Sequence, residues 1–341
     1  MFPTTSKVED WAIALLDYAY SQKDNFTQHK IQFGKMSLTL HLPSEDPITV
    51  EIMDSLIETE DLESIYELMF WECSDSHEIL SSIDVDIPSI PGGQHDLSDR
   101  TMICVDRHMN GLYILDRTSK RVLVWVPSYQ DFPFWARATP FRIPFSWIAL
   151  ENEGEMIHCA ALEFEGHGVL LAGSGGRGKT TTAINAALEG ARILGEDFIL
   201  YMKNSVYAVY TKAKIHPGIH LNQLTAKGLK APAAIADQKT IVSLRNQPFS
   251  MIMSFRPTIL YFPGIPLTGN FTEIVKIPKG LALREFAGPS FIGLQGAGAK
   301  SLAIHSKLVK SVDSWSLAMT GQLDHDIASM KKHLQSQTTE L

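Results

Sequence analysis

The sequence predicts an α/β protein in two parts, a smaller mixed α+β domain over residues 1–145 and an α/β domain over residues 146–341. Three observations predict it. At 341 residues the chain has the length of about two domains. Its first half combines a helical apolar period with period-two alternation. Its second half holds a short apolar run that breaks at a glycine-rich turn and resumes as an alanine-rich helical pattern.

In chain order, Ser6-Lys7-Val8-Glu9 has capping-box spacing, and Val8, Trp11, Leu15 and Ala19 recur at helical intervals. An amphipathic helix facing a core is expected there. Ile31 and Phe33, then Leu38, Leu40 and Leu42, alternate with polar residues up to Pro43 and read as strands. Asp61 to Trp71 is apolar at Leu62, Ile65, Tyr66, Leu68 and Met69, a spacing that predicts a helix. Pro88 to Asp99 reads as a loop. Met102 to Val105, Leu112 to Leu115 and Val122 to Val126 predict a small antiparallel meander. The piece Phe132 to Trp147, rich in proline and aromatics, reads as a connection whose aromatics line a ligand cleft or pack between domains. No catalytic constellation precedes Pro127.

Beyond it, Met156 to Phe164 is a strand candidate carrying His158, and Val169 to Leu171 leads into the glycine-rich turn. A helix is expected from about Lys179 to Glu189, closed by Gly190. Arg192 to Tyr201 reads as a buried strand interrupted by Glu196 and Asp197, and Val206 to Tyr210, Thr240 to Leu244 and Thr258 to Phe262 as further strands. Helices are expected over Ser301 to Val312 and after Gly321. The last carries Leu323, Ile327, Met330 and Leu334 on one face, with Asp324 and Asp326 starting it and Lys331, Lys332 and His333 finishing it, as the macrodipole favours.

Composition narrows the function classes. Apolar residues make up 45% and charged residues 20%, an ordinary globular balance. No apolar run reaches the roughly 18 residues of a membrane span, and Asp17, Glu9 and Asp10 spoil the apolar patch Trp11 to Tyr20 as a signal segment. A cytoplasmic protein with no membrane partner is expected. Cys73, Cys104 and Cys159 are odd in number and widely spaced, so reduced core residues are expected and not a disulfide framework or zinc site. The net charge of −8 is uneven: residues 36–99 hold sixteen acids and no lysine or arginine, whereas residues 201–341 hold sixteen Lys/Arg against seven acids. The acidic stretch is either a solvated face or a recruiter of a basic partner. No arginine-rich arm or aromatic-basic platform argues for nucleic acid.

The glycine-rich turn reads Gly173-Ser-Gly-Gly-Arg-Gly-Lys-Thr180, the GxxxxGKT pattern of a P-loop between a strand and a helix. Glycines let successive N–H groups turn inward as a cradle for phosphate oxygens at a helix N-terminus. Lys179 is then a mobile charge for the β- and γ-phosphates, and the Thr180 hydroxyl a ligand for Mg²⁺. The expected nucleotide-binding set is Gly173, Ser174, Gly175, Gly176, Arg177, Gly178, Lys179, Thr180 and Thr181, with Arg177 aimed either at the γ-phosphate or at solvent. Glu196 and Asp197 follow the P-loop helix, where an α/β layout returns the chain beside the first strand and brings them to the same edge. One carboxylate can hold Mg²⁺ and the other accept a proton from an attacking hydroxyl. His158 is either a core histidine or a hydrogen-bond partner of the acceptor or the phosphates. Lys212, Lys214 and His216 either sit over the phosphates or form a solvated edge.

From His158 onward, over roughly the last 185 residues, the chain resembles the catalytic domain of the HPr kinase/phosphorylase family, and more closely the smaller HPr kinase-like proteins that include lasso-peptide kinases. The matching pieces are Ile157 to Leu162, Gly168 to Thr180, Ile193 to Phe198, Leu283 to Phe291 and Val312 to Asp324. The resemblance implies a P-loop domain of HPr-kinase type using ATP and Mg²⁺ to phosphorylate a serine hydroxyl on a peptide or small protein, and it leaves a homo-oligomer open. Carried over by position, Glu196 stands where the family has the aspartate that acts as base, and Asp197 on its second aspartate. That gives Lys179, Glu196, Asp197 and His158 as the catalytic set, with Thr180 and Asp197 at the metal. The arginine-glycine-rich segment of true HPr kinases, with its extra magnesium-binding glutamate, has no counterpart here, which argues against HPr as the substrate and against the reverse phosphorylase reaction. A small-molecule kinase and a nucleotide-dependent binding module with little catalysis stay as alternatives.

Overall fold

In a computed structural model, residues 5–44, 46–72, 93–106, 111–233, 238–264, 271–294 and 298–338 are described. The chain divides into two compact units, Met1–Ile148 and Ala149–Leu341. Both mix helices with sheets. No helix among the described residues is long and apolar enough to cross a membrane.

The first unit opens with α1 (Thr5–Ser21), followed by the antiparallel pair β1 (Phe26–Phe33) and β2 (Met36–Pro43). Next comes α2 (Pro47–Asp54), capped by the Asp46 carboxylate accepting from Ile48 N at 2.9 Å, with Pro47 in the first turn. The remaining strands are β3 (Ser64–Glu72), β4 (Gly93–Asp96), β5 (Thr101–Asp106), β6 (Gly111–Asp116) and β7 (Arg121–Val126). Among the described residues they form one sheet in the order β1-β2-β3-β7-β6-β5-β4, and β5 to β7 are the expected antiparallel meander. The apolar stripe of α1, Trp11, Leu15, Leu16 and Ala19, packs on Met69, Ile103, Ile114 and Leu123. Burying each large side chain of that stripe contributes about 1.5–3 kcal/mol.

Three expectations fail in this unit, the first two around one strand. Residues 61–71 hold a strand and not a helix: β3 lies between β2 and β7, parallel to both. A central parallel strand is apolar on both faces and loses its alternation, so a chance 3–4 spacing imitates a helix. Met69 and Trp71 face α1, while Phe70 meets the rings of Tyr129, Phe132 and Phe141 at centroid distances of 4.8, 5.2 and 5.4 Å. The aromatic piece after Phe132 therefore covers the other side of β3 within this unit. It is also partly helical, as α3 (Phe134–Arg137) and α4 (Arg142–Glu151). Of the expected loop at residues 88–99, residues 88–92 lie outside the described residues, and 93–96 are β4. Cys73 and much of the acidic stretch, residues 73–92, also lie outside. Several described acids are engaged within the unit: Glu51 pairs with Arg137, Glu67 with His41 and Asp96 with Arg117.

The second unit is built on β8 (Gly154–Phe164) and β9 (His167–Ala172), an antiparallel pair, followed by α5 (Lys179–Leu188). Then come β10 (Arg192–Gly195), β11 (Phe198–Met202), β12 (Ser205–Tyr207), β13 (Lys212–Ile215), α6 (Ile219–Ala226), β14 (Thr240–Ser243), β15 (Ser254–Phe255), β16 (Ile259–Gly264) and β17 (Glu273–Lys276). The chain closes with α7 (Lys279–Gly293), α8 (Ala299–Ser311), β18 (Asp313–Ala318) and α9 (Leu323–Thr338). The main sheet runs β15-β12-β11-β8-β9-β16-β18-β17, with β10 also on β8, while β13 and β14 pair separately. β9, β16 and β18 are parallel. Ala183, Ile184 and Ala187 of α5 pack on Ala160, Leu162, Val169 and Leu171, and Ile327, Met330 and Leu334 of α9 join the same core.

The strand after α5 does not return beside β9. Its two pieces pair with β8, antiparallel, so β8 stands between them and β9. The last helix also differs: it runs on to Thr338, so Lys331, Lys332 and His333 lie inside it, and His333 Nδ1 is 2.6 Å from Tyr261 Oη. Asp324 and Asp326 do lie in its first turn.

Candidate functional site

The turn 173–178 joins β9 to α5 with left-handed backbone at Gly173 (φ 119°), Gly176 (φ 78°) and Gly178 (φ 89°), a conformation that costs glycine little. Gly178 is the N-cap of α5, so the first N–H groups of the helix face the turn. Lys179 is buried, and its Nζ donates to Gly173 O at 2.8 Å and Ser174 O at 3.1 Å. Burial holds its pKa below the ordinary lysine value, against the opposing pull of Glu196 and Asp197. Arg177 is exposed.

Glu196 and Asp197 occupy the break between β10 and β11. A register shift between Ile193 and Gly195 precedes it, and Asp197 itself has φ 71°. The two carboxylates thereby meet different partners. Glu196 Oε1 accepts from the Thr180 hydroxyl, and Oε2 from Lys214 N at 3.3 Å. Asp197 Oδ1 lies 3.2 Å from His158 Nε2, and Oδ2 is ion-paired with Lys214 Nζ. His158 is fixed in turn by stacking on Phe198 at 5.1 Å, while its backbone N–H donates to Ser290 Oγ at 3.0 Å.

Their protonation diverges accordingly. Burial raises the Glu196 pKa, the charge on Asp197 adds to it, and the hydrogen bonds from Thr180 and Lys214 offset only part. Burial also opposes ionisation of Asp197, but Lys214 and His158 override it and hold that carboxyl well below the usual range.

Lys179, Thr180, His158, Glu196, Asp197 and Lys214 line one cavity of about 330 Å³, whereas Gly173, Ser174 and Arg177 of the expected nucleotide-binding set do not. The turn and α5 enter through Gly175, Gly176, Gly178, Lys179, Thr180 and Thr181, and the opposite wall brings His158, Glu196, Asp197 and Lys214. Of the basic residues after β12, Lys214 serves Asp197 and so is not a free cation for phosphates. Lys212 does not line the cavity, whereas His216 does. Sequence reasoning missed His220, Lys239, Asn185 and an apolar side formed by Met319, Leu323 and Ile327. The apolar stripe of α9 is the signal for the last two, and it serves the core and the cavity wall together.

The hydrogen bonds also redistribute the expected roles. The sequence pairs Thr180 with Asp197 at the metal and leaves Glu196 as base, yet it is Glu196 that meets Thr180. The reason is the left-handed turn at Asp197, which sends adjacent side chains to different neighbours. No group of three or more His, Cys, Asp or Glu among the described residues is arranged to hold a metal by itself. A hydroxyl beside a carboxylate nevertheless fits Mg²⁺, which is bound through one or two protein oxygens plus phosphate and water. The raised pKa of Glu196 is that of a buried carboxyl beside a second carboxylate, with a hydroxyl and a backbone N–H as its hydrogen-bond donors.

No family model matches the chain, and no curated protein matches it either. Among solved structures, the Hpr(Ser) kinase/phosphatase from Coxiella burnetii matches 54% of this chain and 99% of its own, at 11% identity and a TM-score of 0.27. A likeness at that level shows neither a family nor an activity.

Proposed function

We propose that the unit Ala149–Leu341 transfers the γ-phosphate of ATP to a serine hydroxyl on a peptide or small protein. One observation carries this reading: the GxxxxGKT turn shares a single cavity with two carboxylates, one buried and one partly buried, that have different partners and opposite pKa shifts. Unlike environments for like groups are how a site divides acid–base and ligand roles. The peptide or protein acceptor is supported by the motif resemblance and not by the cavity.

In this reading the turn amides and Lys179 hold the phosphates, which requires Lys179 Nζ to leave the carbonyls of Gly173 and Ser174. Thr180 and Glu196 are the residues that would hold Mg²⁺, whose charge offsets that of the β- and γ-phosphates. Asp197 accepts the proton of the attacking hydroxyl, with Lys214 and His158 keeping the carboxylate ionised and oriented. The serine O–P bond forms as the bond from the γ-phosphorus to the β–γ bridging oxygen breaks. ADP leaves. Because phosphoryl transfer needs mainly positioning and charge neutralisation, these groups suffice.

The test is transfer of label from γ-labelled Mg·ATP to serine-containing peptides and, separately, to a set of small hydroxyl metabolites. Label on peptides, lost in Lys179→Ala with unchanged circular dichroism, supports the proposal. Label on metabolites alone would assign a small-molecule kinase, and tight ATP binding with no acceptor-stimulated turnover would leave a binding module.

A further inference from the structure

We infer that His216 and Lys239, on the rim of the cavity, form a subsite for an anionic side chain of the acceptor, a carboxylate or a phosphate close to the serine. The inference rests on the peptide-kinase reading proposed above and adds to it the class of acceptor that the site selects.

Strand register supplies the placement. One residue anchors β13 against the carboxylate pair: Lys214 N donates to Glu196 Oε2 at 3.3 Å, and Lys214 Nζ is ion-paired with Asp197 Oδ2. Ala213 and Ile215 are buried in the core, so Lys214 and His216 share the other face of the chain there. On β14, Ile241 stands opposite Lys214 and Thr240 opposite Ile215. One step further, Lys239 stands opposite His216. Both line the cavity, together with His220 from the first turn of α6.

Cationic groups directly opposite each other repel. Burial, and after it the charge of Lys239, keeps the His216 pKa below the ordinary histidine value. An anion between the two removes that repulsion and gains charge-assisted hydrogen bonds from both. Lys179, held down chiefly by burial, also feels Lys239, so the subsite lies within reach of the transferred phosphate. Exposure and position identify the anion. The triphosphate has its own ligands in the turn amides and the buried Lys179, whereas His216 and Lys239 are exposed and stand on the Asp197 side, where the acceptor hydroxyl must lie. Two residues along the strand separate Lys214 from His216, about 7 Å. An extended peptide repeats with the same spacing. Laid along β13 with its serine at Asp197, it brings the side chain two residues away to His216 and Lys239.

Label transfer from γ-labelled Mg·ATP by the full chain to short serine peptides tests this, the peptides differing only in carrying Asp, phosphoserine, Ala or Lys two residues from the serine on either side. Asp or phosphoserine on one side should raise kcat/KM over Ala by about fivefold or more, chiefly through KM, and Lys should lower it. The two acidic arms separate a carboxylate ligand from a phosphate. Lys239→Gln, at an exposed position, should bring the acidic preference close to one, and Lys239→Glu should reverse it in favour of Lys. Equal use of acidic and Ala peptides by the wild-type chain, or an acidic preference that survives in both variants, overturns the inference while leaving the kinase reading standing. So does a loss in Lys239→Gln that falls on Mg·ATP affinity alone, which would assign the lysine to the donor. If no peptide is labelled at all, the peptide-kinase reading fails and the subsite with it.

Discussion

Glu155 lies near the start of β8, only 2% exposed, with no hydrogen-bond partner for Oε2 among the described residues. Burial raises its pKa from 4.5 to about 7. A folded carboxyl that keeps its proton where the unfolded one has lost it stabilises the fold fully below about pH 4.5, and that stability is lost as pH rises through 7. At about 1.4 kcal/mol per pH unit the loss amounts to about 3 kcal/mol. Glu155→Gln, which has the shape of the protonated acid, should therefore match wild type near pH 4.5 and be more stable by about 3 kcal/mol at pH 8. For a unit of this size that raises Tm by about 6–12 °C. His305 works in the opposite sense: burial lowers its pKa from 6.5 to about 4, so it costs stability as pH falls below 6.5. Between about pH 4.5 and 6.5 the two slopes nearly cancel in wild type, and Glu155→Gln should expose the histidine's slope alone. Urea titrations from pH 4.5 to 8, read by circular dichroism, measure both effects. A Glu155→Gln variant equally destabilised at pH 5 and pH 8 would refute the reasoning, because it would mean that the glutamate is ionised and paired in the folded chain.

Further expectations concern the site and its frame. Glu196→Gln should weaken Mg-dependent ATP binding, since a neutral amide is a poorer partner for a hard dication; titration with Mg·ATP showing unchanged affinity would remove Glu196 from the metal. Asp197→Asn should lower kcat by about 10²–10⁴ with ATP affinity near normal, and single-turnover transfer at the wild-type rate would disqualify Asp197 as proton acceptor. Gly168→Ala should destabilise by about 1–3 kcal/mol, because a Cβ there would stand 2.3 Å from Arg256 O and 2.6 Å from Phe255 Cδ2; an unchanged urea midpoint would show that this backbone yields easily.

Much of the frame was legible because local patterns there agree with their surroundings. The α1 stripe, the β5–β7 meander, the β9–turn–α5 junction and the break at Glu196-Asp197 each follow from short-range chemistry: periodicity, glycine at left-handed positions, a paired carboxylate in an apolar run. What was not legible depends on distant partners. Nothing within Ser64–Glu72 reveals that parallel neighbours cover it on both edges. Nothing near Lys214 reveals that Asp197 will claim its amine, and the extra strand β8 between β9 and β10 cannot be read from the spacing of Glu196 after Thr180.

The same dependence on partners explains how two neighbouring carboxylates come to differ. Glu196 is buried and Asp197 mostly so, and desolvation pushes both pKa values upward. The difference lies in what each meets: a hydroxyl and a backbone N–H for Glu196, an ammonium and an imidazole for Asp197. For Glu196 these donors and the more distant charge of Lys214 do not offset burial plus a like charge next door, whereas for Asp197 the same cation in contact does. The division is therefore set by Thr180 on α5 and Lys214 on β13. What the glutamate adds at position 196 is one methylene of reach, and that reach spans from the β10–β11 break to the first turn of α5.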